Sequence, residues 1–126
     1  MNAEVENKLK QITIEDNIWI IYLGIIVLSW YSNYLEKNYF IYHDANNKEK
    51  YRKIMILIFS ILVLVYLYFF NSSYSDLCNL KETDSKKKKE LTYLSFIGSL
   101  LIVISGFIFL YIALKDDELN VEIAFN

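Results

Sequence analysis

Three stretches, residues 18–35, 54–75 and 91–114, contain no Asp, Glu, Lys or Arg, although charged residues make up 22% of the 126-residue chain. That segregation constrains the fold more than any other feature. A helix rises about 1.5 Å per residue, so a hydrocarbon core of ~30 Å takes roughly 20 residues to cross. Residues 54–70, IMILIFSILVLVYLYFF, and 94–114, LSFIGSLLIVISGFIFLYIAL, meet that length with few polar side chains. Residues 18–35, IWIIYLGIIVLSWYSNYL, have a wetter far end with Ser29, Ser32 and Asn33, where a tilted or partly interfacial helix is the alternative to a full crossing.

A soluble bundle would keep a polar stripe along each helix. Residues 54–70 have none, and the runs are too long and lack the period-two alternation of strands. The chain is therefore expected to be all-α: one integral membrane domain with three transmembrane helices and short charged loops. Aromatic placement agrees, because amphipathic rings gather at span ends. Trp19 and Tyr22 open the first span and Trp30, Tyr31 and Tyr34 close it; Tyr51 precedes the second and Tyr66, Tyr68 and Tyr74 finish it; Tyr93 and Tyr111 bracket the third. The chain has no proline, which suits long unbroken helices.

Other signals narrow the class. The segment before Ile18 is polar, carries four acids and leads to no small-residue cleavage site, so a cleavable signal peptide is not expected. Asn2 stands where myristoylation needs glycine. Net charge is −2, which gives no basic field for nucleic acid. The single cysteine, Cys78, cannot form an internal disulfide.

With three spans, the N-terminal segment and second loop carry 7 Lys and Arg, and the first loop and tail carry 6. The positive-inside rule needs a clear excess, so these totals leave orientation open. The first and third spans vote in opposite directions. The third, with its lysine-rich start, tips the reading to a cytoplasmic N-terminus and second loop.

Four features could carry function. Lys86, Lys87, Lys88 and Lys89 form a tetrabasic run before the third span. It reads as an ordinary topology anchor, or as a contact for anionic lipid heads or an acidic partner, with Asp84 and Glu90 weakening its field. Ser95, Gly98, Ser99, Ser105, Gly106 and Ala113 form a small-residue stripe on the third span. Small side chains let helices approach closely, so this face should pack on a helix of this chain or of a partner. The acidic tail, residues 115–126, turns apolar at Val121, Ile123, Ala124 and Phe125. It reads as a frayed end or as a segment that docks on a neighbour, with Ile123 and Phe125 as contacts. His43, the only histidine, beside Asp44, reads as a solvated loop residue, since a metal or relay site needs several convergent ligands. The sequon Asn71-Ser72-Ser73 abuts the membrane edge and is expected to stay unused.

No acid, base or histidine lies inside any span, which argues against pumps, coupled transporters and voltage sensors. No phosphate-binding loop, nucleophile elbow or Cys/His cluster is present. The expectation is a protein that is no enzyme and has no cofactor or small-molecule substrate. Its partners would be the lipid bilayer and other proteins.

The run NLKETDSKKKKELTYLSFIGSLLIVISGFIFLYIALKDDELNVEIAFN from Asn79, with SWYSNYLEKNYF at residues 29–40, resembles small multi-span membrane proteins encoded by nucleocytoplasmic large DNA viruses. The likeness lies in the order of lysine run, third span and acidic tail. It implies a structural role in a virus particle: placement in the internal lipid membrane and in host membranes, and attachment to minor capsid proteins. Two other roles fit the residues. One is a small holin-like pore-former, although its charged tail would usually be basic. The other is an accessory subunit of a cellular membrane complex, held by the third-span stripe.

Overall fold

Helix is the only regular secondary structure that the computed structural model assigns across the residues it describes, 2–119. The elements run α1 (Ala3–Tyr42), α2 (Ala45–Cys78) and α3 (Lys86–Lys115). Each is long and apolar enough to cross a membrane. The three enclose the three uncharged stretches.

The helices outrun those stretches. α1 has 40 residues, a length of about 60 Å, and begins within the polar N-terminal segment. Asn2 caps it: its side chain accepts from the Val5 N–H at 2.9 Å, and Glu4 and Glu6 place negative charge in the first turn. The buried residues Ile18, Ile25, Ser32 and Leu35 fall on one face at heptad spacing.

The charged segment between the first two spans is mostly helix rather than loop. α1 ends at Tyr42 and α2 begins at Ala45, so only His43 and Asp44 connect them. The segment contains neither glycine nor proline, and Glu49 and Lys53 pair one turn apart at 3.3 Å. His43 adopts the left-handed conformation (φ 53°, ψ 34°) and donates its N–H to the Tyr39 carbonyl at 2.7 Å, closing α1. Asp44 then caps α2 by accepting from the Asn46 N–H at 2.9 Å. His43 and Asp44 are thus a helix stop and a helix start.

The described residues form two compact units divided within α2, between Ile54 and Met55. In the second, α2 and α3 run antiparallel. Phe59 meets Phe109 with ring centroids 5.7 Å apart, and Phe70 meets Phe96 at 5.3 Å. Numbers rise on one helix as they fall on the other. The hydroxyls of Ser73 and Ser95 lie 3.5 Å apart and fix the register near the turn. Cysteines at both positions, in a Cys78→Ser background, should therefore oxidise to an internal disulfide. A faster-migrating, reductant-sensitive band on a non-reducing gel checks this. Failure to cross-link would contradict the register.

Candidate functional site

α2 and α3 bring together two sets of side chains: a packing face along the helices and a basic cluster at their turn.

The small-residue stripe divides. Gly106 and Ala113 are buried, Gly98 and Ser99 are half-buried, and Ser95 and Ser105 are exposed. Gly106 is the point of close approach. A Cβ there would meet Tyr66 Cδ2 at 3.0 Å and Val63 Cγ2 at 3.2 Å. A Cβ on Gly98 would meet nothing within 4 Å. Ser105 lines an apolar groove of about 170 Å³ beside Gly106, with Phe59, Tyr66 and Phe109. Ser99 donates its hydroxyl proton to the Phe96 carbonyl of its own helix at 2.9 Å. Ser60 does the same to Ile56 at 2.7 Å, and Ser32 to Ser29 at 2.7 Å. Phe96 and Phe109 belong to the contact but not to the stripe. Heptad spacing could have found Phe96, which lies seven residues before the buried Val103, but not Phe109.

The second loop is a hydrogen-bonded turn. Ser85 caps α3 by accepting from the Lys88 N–H at 3.1 Å. Asp84 accepts from the Lys81 N–H at 2.8 Å and from the Lys88 ammonium at 3.2 Å. The Lys89 ammonium donates to the Glu82 carbonyl at 3.2 Å. The four lysines are therefore not equivalent: Lys88 is neutralised by Asp84, whereas Lys89 is held by a neutral oxygen.

The Lys81 N–H, then the Lys88 ammonium, hold the Asp84 carboxyl below the usual carboxylate range. Because the folded value is depressed, the contribution of Asp84 to the turn is complete above the unfolded value of about 3.9. It is lost as pH falls through the lower folded value. A carboxyl-carbon NMR titration in micelles should give Asp84 a midpoint below the ordinary aspartate value of about 3.9. Lys88→Gln should raise it, and an unmoved midpoint would argue against the pair.

Among the described residues no group of three or more His, Cys, Asp and Glu side chains could hold a metal ion. His43 is exposed and packs edge-on to Tyr39, with centroids 6.4 Å apart. The Asn71-Ser72-Ser73 sequon lies within α2. The tail contacts Ile123 and Phe125 fall outside the described residues. Compared with known proteins, the chain matches no family model, no curated protein and no solved structure.

Proposed function

We propose that this chain is a three-span integral membrane protein with a structural role, tying a protein layer to a lipid bilayer through its packed helices and charged ends. The setting follows the resemblance described above: the internal membrane of a large DNA virus particle, with capsid proteins as partners. The observation that carries the membrane part is exposed apolar surface. Only 11% of the most apolar stretch of α1 is buried, with 33% for α2 and 17% for α3. Trp19, Leu23, Val27 and Trp30 of α1 are all more than half exposed. In water such a surface would drive association; in hydrocarbon it is the expected exterior. Ser32, Ser60 and Ser99 each donate to a carbonyl of their own helix, which favours closely packed apolar helices over pore lining.

Two measurements test this reading. Alkaline carbonate extraction should leave the protein in the membrane pellet, and release into the supernatant would refute an integral protein. Cross-linking of the native source, followed by mass spectrometry, should join the charged ends to capsid proteins. Links only within rings of this chain would favour a pore-former, and links to a cellular complex would favour an accessory subunit.

A further inference from the structure

We infer that the open pocket at the α2–α3 turn binds the headgroup of a singly charged anionic phospholipid. Lys86 and Lys89 would hold its phosphate, and the neighbouring leucines would hold the start of its acyl chains. The inference rests on the membrane reading and deepens it. The open pocket of about 690 Å³ is lined by the charged residues Lys86, Lys89 and Glu90. Leu77, Leu80, Tyr93 and Leu94 complete its lining. One cavity thus joins a cationic rim to an apolar wall. Lys86 and Leu94 lie on the same helix, about 12 Å apart along its axis, which spans the step from headgroup to hydrocarbon.

Charge balance selects the ligand. The connection and first turn of α3, residues 79–90, hold five lysines and three acids. Asp84 is spent on Lys81 and Lys88, away from the pocket. Lys89 is oriented by the Glu82 carbonyl, which leaves its charge uncompensated. Among the described residues Lys86 makes no ion pair. Two ammonium groups against Glu90 leave one net positive charge facing the cavity, matching a phosphodiester. A free phosphate would use the rim and leave the leucine wall empty, and an acidic peptide would have no use for that wall at the bilayer edge.

The test uses the full chain in nanodiscs of phosphatidylcholine with a minor fraction of phosphatidylglycerol, the retained lipid being counted by native mass spectrometry. The wild type should retain phosphatidylglycerol preferentially. Lys86→Gln with Lys89→Gln should cut that preference on the order of tenfold. Lys87→Gln with Lys88→Gln, which removes the same charge, should keep it, as should Lys86→Arg with Lys89→Arg. Equal loss in both glutamine pairs would overturn the site in favour of a diffuse field. Displacement by inorganic phosphate with no effect of removing the acyl chains would reassign the pocket to free phosphate, and displacement by polyglutamate would reassign it to a protein partner. Carbonate extraction separates the two levels: a chain that stays in the membrane but shows no lipid preference sinks this inference alone, whereas a chain that extracts sinks the membrane reading as well.

Discussion

Ile104→Arg should shift the membrane insertion of α3 by about 3 kcal/mol, on the order of a hundredfold in the inserted-to-uninserted ratio. Ile104 lies near the middle of the third apolar stretch and is 47% exposed. On a water-facing helix an arginine at such a site is close to neutral, within about 0.5 kcal/mol. In hydrocarbon it must be desolvated or draw in water and headgroups. The same substitution therefore has opposite consequences under the two readings of the exposed surface. Leu114→Arg, at the end of the stretch, is the control, because the long side chain can reach the interface and insertion should change little. Translation into microsomes, with a glycosylation acceptor placed beyond α3, reads the inserted fraction. If Ile104→Arg inserts as well as the wild type and leaves a stable, extractable protein, the bilayer is not the solvent of this helix.

The number, type and order of the helices were legible because segregation of charge from apolar residues is a strong signal at the length of a span. Their ends were less so. Residues 3–17 and 36–53 look like polar flanks when hydropathy alone is read, yet they are helix apart from the break at His43 and Asp44. The stops and starts were present as single residues. Asn2, Asp44 and Ser85 each offer a side-chain oxygen to the first turn of a helix. Asp44 carries the same capping chemistry as Asn2 and Ser85, within a stretch that has no glycine or proline to mark a break. His43 itself was not foreseeable as a helix end, since glycine or asparagine is the usual choice in that conformation. The lysine run was visible as charge, but the separate partners of Lys88 and Lys89 depend on how residues 81–85 turn. The small-residue stripe was visible as composition. Which of its members meets another helix depends on rotation about the α3 axis, and composition carries no such information.

That rotation separates Gly106 from Gly98. Gly106→Leu should disrupt the α2–α3 pair by about 2 kcal/mol, while Gly98→Leu should leave it nearly unchanged. In a bilayer two apolar helices gain little from leaving lipid, so close packing supplies much of their attraction. The ring of Tyr66 already stands where the first added carbon would go, at 3.0 Å, and Val63 blocks the alternative at 3.2 Å. Leucine brings further carbons into the same space, so α3 must move away or Tyr66 must leave its position. Either change also loosens the neighbouring Phe59–Phe109 contact. The readout is the yield of the Ser73→Cys/Ser95→Cys disulfide under limited oxidation, which should fall on the order of tenfold with Gly106→Leu. Gly106→Ala should fall between, since a single carbon needs a shift of only a few tenths of an ångström. The two glycines also separate internal from external packing. If the stripe serves a partner as well, Gly98→Leu should release that partner while leaving the disulfide yield intact. If Gly106→Leu cross-links like the wild type, α3 does not turn this face to α2.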